Sequence, residues 1–161
     1  MIKGLHHNAY RCRDSEETRT FYEGFLGLPL AAALEIKETK TGRTTSALHT
    51  FYRLDDGSFL AFFEVPDVPF EFKDQHDYDL HIALEVEYQQ LQVMIDKAKR
   101  EGQSVRGIAD HDFIHSIYFR DPNGYVIELT AKMGNHQQAT DPNANEAAQI
   151  LSRWQATKNR S

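Results

Sequence analysis

The same order of predicted elements occurs twice in this sequence, and this internal repeat constrains the fold more than any other feature. Residues 4–65 contain alternating, turn-bounded segments that predict a strand, a helix and three further strands. After an acidic, proline-containing connector at 66–78, the same order returns in residues 79–131. Two such β-α-β-β-β modules can share one continuous sheet, so the sequence predicts an α+β fold that arose by duplication.

The repeat extends to individual residues. His7 opens the first strand in His-Asn-Ala-Tyr-Arg-Cys, and His81 opens the matching strand in His-Ile-Ala-Leu-Glu-Val. The turn before each module's last strand contains Asp56-Gly57 or Asn123-Gly124. Alignment of these two turns places Ala61 opposite Glu128.

Capping residues and apolar periodicity predict three helices among the strands. The first helix is predicted to begin at Asp14 or Ser15, in a capping box with Glu17, and to end at Gly27. The second is predicted over 88–100, and a terminal helix is predicted to follow Asp141-Pro142. Its apolar stripe consists of Ala147, Ile150, Leu151 and Trp154. The predicted strands are 4–13, 30–38, 45–54, 58–65, 80–87, 104–109, 113–120 and 125–131.

Composition narrows the class of protein. With 161 residues, 40% hydrophobic and 26% charged, the chain is typical of one globular domain. A net charge of −6 argues against nucleic-acid binding, and apolar runs such as 59–65 are too short to span a bilayer. The N-terminus does not resemble a signal peptide, and the single cysteine, Cys12, forms no intrachain disulfide. A cytoplasmic location is therefore expected.

Eight histidines against one cysteine mean that a metal site here would use imidazole and carboxylate ligands. An isolated histidine such as His7 is structural in roughly four cases of five, but its pairing with His81 in a duplicated frame reverses those odds. Glu128 lies between two apolar strand residues, where an unpaired carboxylate would be costly to bury. The alternatives are a core histidine at His81 and a paired structural carboxylate at Glu128.

These motifs together resemble the vicinal oxygen chelate superfamily, which contains glyoxalase I, extradiol ring-cleaving dioxygenases, epimerases and bleomycin-resistance proteins. The resemblance covers residues 4–131. Its motifs are His7 seven residues before Asp14, Phe21-Tyr22 followed by Leu26-Gly27, His81-Ile-Ala-Leu, and Asp121-Pro-Asn-Gly-Tyr-Val-Ile-Glu128.

The resemblance implies a single domain at 1–131, with modules at 4–65 and 79–131 joined by a linker at 66–78. The modules would form a half-open mixed-sheet barrel around a divalent metal held by His7, His81 and Glu128. Residues 132–161 would form a polar linker and C-terminal helix. Members of the family also lead us to expect a homodimer that acts on a small-molecule substrate.

The segment from His111 to Glu128 resembles the extradiol dioxygenase pattern. Tyr118 stands ten residues before Glu128, which gives both the same strand parity. The fourth carboxylate ligand that isomerases and lyases of this superfamily use is absent, because Ala61 occupies its position. Glu64, three residues on, is expected to face the other way.

The leading hypothesis is therefore extradiol-type cleavage of a catechol-like aromatic ring by O₂. The metal would be Fe(II), with Mn(II), Ni(II), Co(II) or Zn(II) as alternatives. His111 and Tyr118 would hydrogen-bond the reacting oxygens, and His49 would be the base unless it is a surface strand histidine. Half-buried strand packing is the alternative for Tyr118.

Two other functions stay open. A glyoxalase-like lyase, isomerase or epimerase would use the metal as a Lewis acid, with Glu64 or Glu85 as the base. A non-enzymatic drug- or ligand-binding resistance protein is the third hypothesis. Retention of His7, His81 and Glu128 argues against it, because such proteins often lack the metal residues.

Overall fold

The computed structural model describes residues 1–38 and 41–158, which form two compact units. Unit 1 comprises the described residues of Met1–Ile82 and Arg120–Val126, and unit 2 comprises the described residues of Ala83–Phe119 and Ile127–Ser161. The predicted α+β class and the two β-α-β-β-β modules are confirmed. No helix in the described ranges is both long enough and apolar enough to cross a membrane.

Eight strands and their connecting helices are found in the described residues. The first module contains β1 (Tyr10–Cys12), α1 (Ser15–Arg19), a π-helix (Thr20–Phe25), β2 (Leu30–Glu38), β3 (Thr44–Arg53) and β4 (Phe59–Glu64). The second contains β5 (His81–Glu85), α2 (Tyr88–Glu101), β6 (Arg106–Asp110), β7 (Ile114–Arg120) and β8 (Val126–Lys132). Two helices follow, α3 (His136–Thr140) and α4 (Ala147–Thr157).

The duplication is visible in the strand orders. Sheet 1 has the order β1-β4-β3-β2 and sheet 2 has the matching order β5-β8-β7-β6. In sheet 1, β1 runs parallel to β4, while β3 pairs antiparallel with both β4 and β2. Sheet 1 lies within unit 1, whereas the end residues of β5, β7 and β8 are the only parts of sheet 2 outside unit 2.

The first strand is shorter than predicted. Only Tyr10–Cys12 is regular, and His7 forms an isolated parallel bridge with Phe59. Between them, the Asn8 side-chain oxygen accepts the Ala61 N–H at 3.0 Å. An amide side chain thus replaces a main-chain partner, which interrupts the ladder.

The first helix begins as predicted but changes its winding. The Asp14 carboxylate caps it by accepting the N–H groups of Glu16 and Glu17. The predicted capping box is not completed, because the Glu17 side chain binds Arg13 instead. After Arg19 the helix widens into the π-helix, in which Leu26 N–H donates to the Phe21 carbonyl at 2.9 Å.

A buried carboxylate joins distant parts of unit 1. Asp121, 3% exposed, accepts the Tyr22 hydroxyl at 2.9 Å and the backbone N–H of Tyr125 at 2.8 Å. The backbone and side-chain N–H groups of Asn123 also donate to it. Burial raises the pKa of the Asp121 carboxyl, and these hydrogen bonds oppose that rise.

The turn that holds Asp121 requires glycine at its end. Gly124 has φ +98°, and a Cβ there would lie 2.6 Å from the Lys73 backbone nitrogen. Lys73 N–H donates to the Asn123 carbonyl at 2.8 Å. This hydrogen bond holds the connector at 66–78 against the turn. The predicted turn chemistry at 121–124 is therefore also a packing requirement.

The predicted start of the terminal helix is wrong. Asp141 caps no helix: its carboxylate accepts the Asn143 N–H at 2.8 Å within a turn, and α4 begins only at Ala147. The predicted apolar stripe lies on α4 and is solvent-exposed at Ile150, Leu151 and Trp154.

We expect Asp121→Asn to lower the free energy of unfolding by about 2–3 kcal/mol, because an amide NH₂ would face groups that are themselves donors. Urea denaturation of both proteins measures the difference. Asp55→Asn, at an exposed turn position, is the matched control and should change the value by less than about 0.5 kcal/mol. Equal losses in both variants would contradict a special role for Asp121.

Candidate functional site

One face of sheet 1 carries the histidines and aromatic residues of the candidate site. In the register of β3 with β4, His49 pairs with Phe63, Phe51 with Ala61, and Arg53 with Phe59. Because side chains alternate along a strand, these six residues share one face. His7 joins them through its bridge to Phe59, and we call this surface the histidine face of unit 1.

The opposite face of sheet 1 is mostly apolar and packs under the first helix. Tyr22, Tyr52 and Phe62 are fully buried there, with ring contacts among all three. Cys12 is buried on the same side, and burial raises the pKa of its thiol to about 11. Cys12 is therefore a structural residue and not a nucleophile.

His7 is exposed and surrounded by rings. Its ring centroid lies 5.5 Å from that of Phe51 and 6.2 Å from that of His49. The Nδ1 atoms of His6 and His7 lie 2.8 Å apart, so one ring donates to the other. Neighbouring residues of a regular strand point to opposite faces, but both histidines precede the regular part of β1, which lets their side chains meet.

His49 is held in one orientation. It is 7% exposed, which rules out the surface-histidine alternative. Its ring stacks on that of Phe63, with 3.6 Å between the ring centroids and an angle of 9° between the ring planes. Its Nδ1 lies 2.9 Å from the Phe62 carbonyl oxygen, which can only accept, so Nδ1 carries the proton. In the neutral ring the lone pair is then on Nε2.

The carboxylates considered as bases are engaged elsewhere. Glu64 accepts the Ser15 N–H at 2.7 Å, which confirms that it faces away from the histidine face. Glu85 forms an ion pair with Lys132 at 2.7 Å. Ala61 is fully buried on the histidine face and supplies no oxygen there.

In unit 2, three predicted residues form a hydrogen-bonded chain. Tyr118 Oη donates to Glu128 Oε1 at 3.3 Å, and His111 Nε2 lies 2.8 Å from Tyr118 Oη. Because the single phenol proton goes to the carboxylate, His111 Nε2–H donates to the phenol oxygen. We call this arrangement the His111–Tyr118–Glu128 chain.

The environment keeps Tyr118 protonated. Burial raises the pKa of its phenol, and the negative charge of Glu128 raises that pKa further. The Arg106 guanidinium lies 4.5 Å from the centroid of the Tyr118 ring, in a cation–π contact. Tyr118 thus remains a hydrogen-bond donor at neutral pH, 3.3 Å from a carboxylate that is itself 5% exposed.

His81 is oriented by its own loop. Its Nδ1 lies 2.8 Å from the Asp77 carbonyl oxygen, so Nδ1–H donates and the neutral ring has its lone pair on Nε2. A backbone carbonyl that fixes the tautomer in this way is typical of metal-binding histidines. His115 contacts Tyr88, with 5.7 Å between the two ring centroids.

Within residues 1–38 and 41–158, no group of three or more His, Cys, Asp or Glu side chains is arranged to hold a metal ion. His7 and His81 belong to unit 1 and Glu128 to unit 2. The metal-ligand set therefore remains a prediction, as do the roles of His49, His111 and Tyr118.

Sequence reasoning missed Arg106, Arg53 and the Asp77 carbonyl. Arg106 could have been found from the strand register, because it pairs with Tyr118 across β6 and β7. Nothing in the pattern signals that the Asp77 carbonyl would orient His81, since main-chain acceptors do not depend on residue type.

Comparison with known proteins identifies the family. Residues 4–129 match the model of the Glyoxalase/Bleomycin resistance protein/Dioxygenase superfamily. The chain belongs to this superfamily, which includes many metal-dependent enzymes. No curated protein matches the sequence.

Solved structures support the same fold. The Frankia sp. EAN1pec glyoxylase/bleomycin resistance protein/dioxygenase domain is 17% identical, with TM-score 0.65 over 83% of this chain and 100% of that one. Fosfomycin resistance protein FosX from Listeria monocytogenes, solved with Mn(II) and sulfate, is 19% identical and has a TM-score of 0.62. The match covers 85% of this chain and 98% of the FosX chain. An integron cassette protein from Halifax Harbour sewage outfall is 23% identical, with TM-score 0.56 over 81% and 99%.

We expect a double-mutant cycle of His111→Ala with Tyr118→Phe to give a coupling free energy of about 0.5–1.5 kcal/mol, because the two side chains share one hydrogen bond. Urea unfolding of the four proteins measures it. The control cycle pairs His111→Ala with Tyr88→Phe, whose ring contacts His115 instead, and should give coupling near zero. Equal coupling in both cycles would contradict the chain described above.

Proposed function

We propose that the chain is a metal-dependent enzyme of this superfamily that cleaves a catechol-like ring with O₂. The observation that carries the proposal is the His111–Tyr118–Glu128 chain, which provides a neutral phenol donor beside a carboxylate suited to metal binding. In the reaction, one ring C–C bond next to the two hydroxyls would break and both atoms of O₂ would enter the product. No external reductant is needed.

His7, His81 and Glu128 are proposed to hold the metal. Two imidazoles and one carboxylate suit Fe(II) or Mn(II), and such a set leaves coordination positions for substrate. The fixed tautomer of His81 and the buried oxygens of Glu128 fit that role. When bound, the ion would supply a site where two adjacent substrate oxygens and O₂ meet.

Tyr118 and His111 are proposed to stabilise negative charge on the reacting oxygens. Tyr118 donates to Glu128 in the structure and could turn its proton toward a substrate oxygen. His111 Nε2–H, which donates to the phenol oxygen, would then reinforce that donation. The Arg106 guanidinium lies over the Tyr118 ring and would place a positive charge near the reacting oxygens.

His49 is proposed to take the second hydroxyl proton. Its Nδ1–H is committed to the Phe62 carbonyl, so Nε2 is the atom that would accept. Its ring lies 6.2 Å, between centroids, from that of the proposed ligand His7. Glu64 and Glu85 are less suitable as bases because both are already bound to other groups.

Metal binding tests the ligand set. We expect the purified chain to bind one equivalent of Fe(II) or Mn(II), measured by elemental analysis after desalting, and His81→Ala to lose at least about tenfold in affinity. His76→Ala, an exposed turn histidine in unit 1, is the control. Equal metal content in all three proteins would overturn the proposed set.

Turnover tests the reaction. The protein would be loaded anaerobically with Fe(II), given catechols and then O₂, with oxygen uptake and a yellow ring-opened product as readouts. Tyr118→Phe should lower kcat by about tenfold to a hundredfold, whereas Tyr78→Phe, 92% exposed, should not. His49→Gln should lower kcat and weaken the dependence of rate on pH. Absence of oxygen uptake with every catechol would overturn the dioxygenase assignment.

A Lewis-acid reaction is the second candidate, favoured by the Mn(II) in the FosX structure and by the positive charge of Arg106. It predicts O₂-independent turnover that Mn(II), Ni(II), Co(II) or Zn(II) also supports. The third candidate function is ligand binding without catalysis, which predicts no turnover either with or without O₂. We also propose that the protein is a homodimer and that it is cytoplasmic. Analytical ultracentrifugation would measure the oligomeric state.

A further inference from the structure

A cavity of about 400 Å³ opens on the histidine face of unit 1. Its walls come from β2, β3, β4 and the segments beside them, and they are mostly apolar. The lining residues are His6, Ala31, Ala32, Leu34, Phe51, Arg53, Gly57 and Phe59. Small residues on one side and two phenyl rings on the other suit a flat apolar ligand.

Arg53 is the strongly basic group in this lining, and it differs from most arginines of unit 1. Arg13 and Arg19 pair with glutamates, while Arg11 and Arg120 donate to backbone carbonyls. No described residue forms an ion pair or hydrogen bond with the Arg53 guanidinium, whose backbone N–H donates to the Pro29 carbonyl. This leaves its planar fork available to an anion that enters the cavity.

The distance from Arg53 to the proposed metal ligand suits a single ring. Phe59 pairs with Arg53 on one side and with His7 on the other. The backbones of Arg53 and His7 are therefore two strand spacings apart, roughly 10 Å, on the same face of the sheet. A benzene ring with oxygens at one end and an anionic group at the other would lie over Phe59, which occupies the strand position between the two residues.

We propose that this cavity binds an aromatic carboxylate, with Arg53 pairing with the carboxylate and Phe51 and Phe59 contacting the ring. Guanidinium and carboxylate form two parallel charge-assisted hydrogen bonds, which gives both affinity and orientation. For the substrate class, the inference rests on the proposed function: the catechol is a dihydroxybenzoate-type acid whose hydroxyls point toward His7. Anion binding by the cavity needs no metal.

Binding to the metal-free protein tests the inference directly. The probes are benzoate and 2-naphthoate, with benzyl alcohol as an uncharged comparison, and the readout is ¹⁵N-detected chemical-shift titration. We expect the carboxylates to shift resonances of β3 and β4, and Arg53→Gln to weaken their binding about tenfold. Arg53→Lys should recover part of the loss, because it restores the charge but not the fork.

Lys37→Gln is the matched control. It removes one positive charge from the same sheet, but Lys37 lies on the opposite side of β2 from Leu34 and pairs with Glu35. It should leave carboxylate affinity unchanged. Equal loss in Arg53→Gln and Lys37→Gln, or benzyl alcohol binding as tightly as benzoate, would overturn the proposal.

The outcomes separate this inference from the proposed function. With Fe(II) and O₂, Arg53→Gln should raise KM for 3,4-dihydroxybenzoate about tenfold and leave KM for unsubstituted catechol unchanged. Turnover of catechols without any carboxylate preference would overturn the inference alone. Arg53-dependent benzoate binding without turnover of any catechol would support the inference and overturn the dioxygenase proposal.

Discussion

The alternation of side chains along paired strands is the constraint on which the other features depend. In sheet 1 it directs Cys12, Tyr52 and Phe62 under the helix, and leaves His49 and Arg53 on the other side. A shift of one residue in β3 would exchange these sets and bury the Arg53 guanidinium beneath the helix. The buried aromatic contacts on the apolar side therefore also fix the position of the polar residues.

Features that depend on period and turn chemistry could be predicted from the sequence. The order of elements, the Asp14 cap, the parity of Tyr118 with Glu128 and the outward direction of Glu64 all follow from spacing. Duplication adds a second signal, because His7 and Ala61 have counterparts at His81 and Glu128 in the second module. The family assignment follows from the same spacings.

Features that depend on particular hydrogen bonds could not be predicted. The Asn8 side chain interrupts the first strand, and the Asp141 carboxylate closes a turn where a helix cap was expected. Amide and carboxylate side chains compete locally with regular structure, and the outcome depends on geometry that composition does not specify. Burial of His49 against Phe63 likewise depends on register between strands and not on either residue alone.

The links from Asp121 to Tyr22, from Asn123 to Arg13 and from Tyr125 to Arg11 span 99, 110 and 114 residues. During synthesis, the first module leaves the ribosome long before its partners at 120–126 are made. Unit 1 therefore cannot complete its core as an independent N-terminal domain. Closing such long loops is slow, so the apolar side of the nascent first sheet stays incompletely covered until residues 120–126 have been made.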